Sequence, residues 1–190
     1  MKRGLQVGLL LAAWAFALPT LAETLRGVVI VVIDGDTVLF KPDHDGAQSR
    51  AFLKVRLADI DAPEKDQAYG DIATHTLKAL VLNQPVEINT VATDAYGRRI
   101  AHLQKGALRI NTEMVRLGLA WSYDSTRTSV RSGSEHPQGA SRSFRASSRY
   151  QRNAEGVAAQ DEARRALRGL WVDAAPTPPW VWRRAQRASD

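Results

Sequence analysis

The chain has 190 residues, 26 Lys+Arg against 20 Asp+Glu, and no cysteine. With 44% hydrophobic and 24% charged residues it can bury a core in a single domain, which excludes wholesale disorder, collagen and any disulfide or Cys-zinc scaffold. The net charge of +6 suits phosphate-bearing partners and equally serves solubility, and four scattered histidines, at 44, 75, 102 and 136, direct any metal toward carboxylates.

Residues 1–22 read as a cleavable signal: Lys2 and Arg3 are the basic start, Val7 to Leu18 is the apolar stretch, and Thr20-Leu21-Ala22 offers small residues for cleavage after Ala22. The expected location is therefore secreted or periplasmic. The alternative is a retained anchor, for which the apolar run falls short of the roughly 20 residues that span a bilayer.

Leu25 to Ile33 is rich in β-branched residues and ends in Asp34-Gly35, so a strand and a tight turn are predicted. Thr37 to Phe40 continues as a second strand, Lys41 to Gly46 reads as a loop, and Ala51 to Leu57 alternates as a third. Helical spacing of apolar residues from Asp71 to Leu82 stops at Asn83-Gln84-Pro85. Val86 to Val91 and Arg99 to Leu103 give two more strands around a turn at Asp94 to Gly97, and Asn111 is expected to cap a further helix with Gly118 just past its end. Five short strands with a helix between the third and fourth match an α+β, OB-type five-stranded barrel with about three helices. Other small α+β topologies share that periodicity. The domain is expected over 23–175.

Residues 124–150 differ in character. Ser125 to Arg149 holds eight serines and five arginines against one acidic residue, Glu135, which suggests a flexible basic insertion that touches a polyanion, or a solvated loop with no role. Ala159, Ala163, Ala166, Leu167 and Leu170 mark a closing helix with Arg164, Arg165 and Arg168 on its exposed side. The tail, 176–190, begins Pro176-Thr177-Pro178-Pro179-Trp180-Val181-Trp182 and is expected to be non-helical, with its indoles packed back on the domain.

Each polar cluster lies at a predicted strand end, where a small barrel presents its loops. Asp36 and Asp61 supply the hard oxygens that suit Ca²⁺ and would leave an open site with room for a phosphate oxygen and a water. Arg56 and Arg98 provide planar forks that match phosphate, and Glu64 is a third carboxylate able to orient or deprotonate the water. This combination suits phosphodiester hydrolysis.

The runs Asp34-Gly35-Asp36-Thr37-Val38, Arg56-Leu57-Ala58-Asp59-Ile60-Asp61-Ala62-Pro63-Glu64 and Asp94-Ala95-Tyr96-Gly97-Arg98 resemble, in order, the three motifs of the staphylococcal nuclease (thermonuclease) family. Asn111 to Ala120 and Gly169-Leu170-Trp171 extend the likeness from about Leu25 to Trp171. The resemblance implies an OB-fold with added helices, one Ca²⁺, and cleavage of DNA and RNA that leaves 3′-phosphate ends. It implies that Arg56, Glu64 and Arg98 are catalytic and that Asp36 and Asp61 are side-chain calcium ligands. Ala62 would contribute a backbone carbonyl, Asp34 would secure the turn, and Tyr96 and Tyr123 would lie beside the nucleotide. Three features depart from the family pattern: the longer stretch between Phe40 and Arg56, Ala95 in place of a basic residue, and the insertion after Tyr123.

Two other readings stay open. One is a non-catalytic OB barrel that binds single-stranded nucleic acid by stacking and cationic grooves. The other is an envelope interaction protein acting through the Arg/Ser insertion and the Pro/Trp tail. In each case a monomer is expected.

Overall fold

The computed structural model describes residues 24–43, 52–122 and 142–189. Residues 1–22, where a signal is expected, the loop after Asp43, Tyr123 and residues 124–141 of the expected basic insertion lie outside the described residues. In chain order the strands are β1 (Thr24–Val32), β2 (Thr37–Pro42), β3 (Leu53–Leu57), β4 (Ile60–Asp61), β5 (Pro85–Thr93), β6 (Arg99–Lys105), β7 (Leu108–Arg109) and β8 (Trp121–Ser122). The helices are α1 (Gly70–Val81), α2 (Ile110–Arg116), α3 (Arg142–Arg165), a 3₁₀ turn at Gly169–Val172, and α4 (Pro179–Ser189).

The sheet order β3-β2-β1-β5-β6 is closed by a parallel pairing of β3 with β6. The result is a five-stranded mixed barrel of the OB type with helices packed around it, as expected. Alternation along the strands puts Val29, Val38, Phe40, Val55, Leu57, Ile88 and Leu103 inside. Leu77 and Val81 of α1 and Ile110, Met114 and Val115 of α2 join the same core.

The strands β4 and β8 are too short for a periodic signature, yet they pair antiparallel, with Asp61 opposite Trp121. Asn111 does not cap α2 but lies within it, fully tied to the barrel. Its Oδ1 accepts from Leu103 N at 2.9 Å, and its Nδ2 donates to the carbonyls of Ala58 at 2.9 Å and Ala101 at 3.2 Å. An Asn before an apolar run looks like a cap, but here the buried backbone groups of β6 compete for it and win. Gly118 does lie just past the end of α2, with φ +71°.

Two segments differ from expectation. Residues 142–150 of the supposed loop are the start of α3, where Arg142, Arg145, Ala146 and Arg149 favour a helix even though hydrophobicity is low. The tail is helical from Pro179 onward. Proline at the first helical position loses no intrahelical hydrogen bond, and the Pro178 carbonyl accepts from Val181 N and Trp182 N, both at 3.0 Å. This is the fourth helix among the described residues. Its Trp180 does pack back on the domain, edge-on to Trp121 with centroids 5.5 Å apart, while Trp171 meets Trp121 at 4.5 Å. Among the described residues no helix is long and apolar enough to cross a membrane.

Candidate active site

The β1–β2 turn carries the first carboxylates. Asp34 Oδ1 accepts from Asp36 N at 3.0 Å, and Ile33 N donates to Thr37 O at 2.8 Å, so the turn is closed by its own side chain. Gly35 is pressed against the next motif: a Cβ there would lie 2.7 Å from that of Ala62 and 2.9 Å from that of Ala73. Only glycine allows that approach, which brings Asp36 and the Asp61 loop together.

Register does the rest. Thr37 on β2 lies opposite Arg56 on β3, and the Arg56 fork bridges two acids. Nη1 donates to Asp36 Oδ1 at 2.5 Å and Nη2 to Asp61 Oδ1 at 2.8 Å. Both aspartates are buried, at 3% exposure each. Asp36 also accepts from Thr37 Oγ1 at 3.0 Å and, through Oδ2, from Ala62 N at 3.0 Å. Burial pushes the Asp36 carboxyl up to about 6; Arg56 beside it opposes the shift, while Asp34 and Asp61 add to it. Burial disfavours the Arg56 charge, but Asp36 and then Asp61 outweigh it and raise Arg56 above its ordinary value.

The Asp36 and Asp61 carboxylates are hard oxygen donors, the type that alkaline-earth ions take, and in the free protein Arg56 occupies one oxygen of each. Among the described residues no three His, Cys, Asp or Glu side chains form a closed metal cage. A cation would therefore rest on Asp36 and Asp61 with backbone or solvent oxygens completing its shell.

Glu64 follows Pro63 in a loop braced from two sides. Its backbone N donates to Gln67 Oε1 at 3.2 Å, and its carbonyl abuts Gly70, where a Cβ would lie 1.8 Å away. The Glu64 side chain reaches an arginine that sequence reasoning did not single out. Arg183 Nη1 donates to Glu64 Oε1 at 2.6 Å and to Asp61 Oδ1 at 3.1 Å, and Nη2 donates to Asp61 Oδ2 at 2.7 Å. The bond to Asp61 and, against a cost of burial, the one to Glu64 raise Arg183 well above its ordinary value. Its only trace in the sequence is a basic run after two tryptophans.

Arg98 is not drawn into this cluster. Its Nε donates to Asp94 Oδ2 at 2.7 Å, and Asp94 Oδ1 accepts from Tyr96 N and Arg98 N, both at 2.9 Å. Desolvation pushes Asp94 up, but the Arg98 side chain and these two amides together outweigh it and hold Asp94 below the usual carboxylate range. Tyr96 is 86% exposed and lies under the Arg98 guanidinium, 5.7 Å from centroid to Cζ. The β5–β6 turn thus places an arginine and an aromatic face at the rim, just before the strand that pairs with the one bearing Arg56. Tyr123 is outside the described residues.

With this geometry in view, comparison with known proteins is decisive. A family model described as staphylococcal nuclease homologue matches residues 54–139. An uncharacterised endonuclease of Escherichia coli O157:H7 is 33% identical over 174 residues, which span 91% of this chain and 94% of the relative. The chain belongs to the staphylococcal nuclease family. A micrococcal nuclease of Shigella flexneri is likewise 33% identical, over 85% of this chain and 82% of its own. A probable staphylococcal-like nuclease of rice is 29% identical over 70% of this chain and 30% of its own length. Family membership accounts for the barrel and the motif order. The C-terminal helix that brings Arg183 to the carboxylates begins forty residues beyond the matched span.

Proposed function

We propose that the protein is an exported calcium-dependent nuclease that hydrolyses phosphodiester bonds of DNA, RNA or both and leaves 3′-phosphate ends. The observation that carries this reading is the Arg56 fork held between two buried aspartates beside Glu64. Relatives named endonuclease and micrococcal nuclease support the reaction class.

In this reading Asp36 and Asp61 hold Ca²⁺ by side chains and Ala62 by its carbonyl. Held by these residues, a Ca²⁺ would supply the charge that polarises the phosphate and offsets the negative charge developing there. Glu64 takes a proton from water, the resulting hydroxide attacks phosphorus, the bond to the 5′ oxygen breaks and that oxygen takes a proton from solvent, which leaves phosphate on the 3′ side and a 5′ hydroxyl. Arg56 and Arg98 supply fixed positive charge to the equatorial oxygens as that charge develops, so they favour the transition state over the substrate. Exposed Tyr96, together with Tyr123, offers ring faces to a base. Asp34 secures the turn that aims Asp36.

The test is direct. Protein lacking residues 1–22 should degrade single-stranded DNA to shorter products in Ca²⁺, and should leave it intact in excess chelator. Binding without cleavage in both conditions would leave the non-catalytic OB module as the correct reading.

A further inference from the structure

The C-terminal helix delivers a third arginine to the site. Two anchors hold α4 there: Trp180 against Trp121, whose backbone pairs with Asp61, and Gln67 Nε2, which donates to Thr177 O at 2.6 Å. Arg183 then engages both oxygens of Asp61 and one of Glu64.

These contacts conflict with the roles of both acids. A divalent cation at Asp61 would meet a guanidinium already on the same oxygens, and like charges that close repel strongly in a partly buried site. A base must accept a proton at an oxygen that now receives a hydrogen bond from a permanent cation. Movement of the Arg183 side chain frees Glu64 and Asp61 Oδ2, and leaves Arg56 as the guanidinium that shares Asp36 Oδ1 and Asp61 Oδ1. The helix can stay docked while the long, 37% exposed Arg183 side chain swings. What the carboxylates give up, an incoming phosphodiester can take, since its anionic oxygens match the guanidinium fork.

We propose that Arg183 is a further substrate-binding residue: it rests on Asp61 and Glu64 in the free protein and transfers to a backbone phosphate of the nucleic acid when substrate and cation are bound. This rests on the reading of the site given above. It makes substrate arrival the event that frees Glu64, and it ties the C-terminal helix to activity.

The experiment uses the full mature chain with Arg183→Ala, Arg183→Lys and, as a control on the exposed side of the same helix, Arg184→Ala. Tryptophan emission and thermal melting verify that α4 remains packed. Calorimetric titration with Ca²⁺ alone should show several-fold tighter binding for Arg183→Ala, because a competing cation is gone. At saturating Ca²⁺, kcat/KM on a dT octamer should fall at least about tenfold, the scale of one hydrogen bond to a charged group, with partial recovery in Arg183→Lys and no change in Arg184→Ala. In a Glu64→Gln background, Arg183→Ala should also weaken octamer binding. Faster cleavage by Arg183→Ala would overturn the proposal and make α4 an inhibitory strap. Unchanged Ca²⁺ affinity and kcat/KM would reduce the contact to a surface ion pair. If Glu64→Gln or Arg56→Ala itself cleaved normally, the site reading would be at fault rather than the role of Arg183.

Discussion

The carboxamide of Gln67 joins the loop that carries Glu64 to the segment that carries Arg183: it accepts from Glu64 N at 3.2 Å and donates to the Thr177 carbonyl at 2.6 Å. Gln67 is 8% exposed, and a side chain 110 residues away in sequence from its partner thereby sets where the C-terminal helix begins.

Replacing Gln67 by Ala leaves a backbone donor and a backbone acceptor short of partners. The expected loss is about 1–3 kcal/mol, read as a lower midpoint in urea. Because the same bond positions α4, the variant should also expose Trp180 and shift tryptophan emission to the red. A lower midpoint with unchanged emission would place the effect in the Glu64 loop alone.

Asp36 makes stability depend on pH in a defined direction. Its carboxyl has a folded value of about 6 against an ordinary 3.8, so between these values the folded state holds a proton that the unfolded state has lost. Stability contributed by the neutral acid is present at low pH and is lost as pH rises through this window. In chelator, the stability of Asp36→Asn relative to wild type should therefore improve from pH 4 to pH 7, by on the order of 2 kcal/mol. Any pH-independent cost of replacing the side chain cancels from that difference. A flat difference across the window would show that Asp36 is ionised throughout.

Ligand linkage checks the cation directly. If Asp36 and Asp61 hold Ca²⁺, adding it at about 100 times its dissociation constant should stabilise the wild-type protein by about 2.7 kcal/mol. Asp36→Asn and Asp61→Asn should lose most of that gain, whereas Glu64→Gln should keep it. A gain retained in both aspartate variants would move the cation elsewhere.

The roles of the arginines and Glu64 separate kinetically. Arg56→Ala should lower kcat at least about 10²-fold, as when one preorganised charge-stabilising donor is removed, and Lys should rescue it only in part because it has no fork. Glu64→Gln should slow turnover at saturating Ca²⁺ without altering calcium affinity. The reverse pattern, lost affinity with normal saturated turnover, would make Glu64 a ligand. Arg98→Ala offers a contrast: Arg98 is paired with Asp94 at the rim, so it must turn from that partner toward the phosphate, and an equal loss in kcat would show that it does.

Asn111→Ala tests the tertiary lock on the barrel. It strands Leu103 N and weakens the satisfaction of two buried carbonyls, so a loss of about 2–4 kcal/mol is expected, with circular dichroism of the remaining fold unchanged. A loss below about 1 kcal/mol would mean that water replaces the amide.

Much of this molecule can be read along the chain. The β-branched run ending in Asp34-Gly35, the alternation of β3 and the spacing of α1 are local patterns, and the closed barrel follows from their order. The convergence of Asp36, Arg56 and Asp61 is also legible, because each lies at or beside a strand end and strand ends of a barrel converge, but the ion pairs that Arg56 makes with both aspartates are not. Other features depend on contacts with no period. Asn111 looked like a cap because its use of Leu103, Ala58 and Ala101 exists only once β6 and α2 are packed. The tail looked irregular because proline breaks helices in their interiors, while Pro179 stands at a helix start. Arg183 meets Asp61 across 122 residues, and nothing local distinguishes it from Arg184. Its place is decided by Trp180 packing on Trp121 and by the Gln67–Thr177 bond, since helix docking through buried aromatic area selects which of two adjacent guanidinium groups faces the carboxylates.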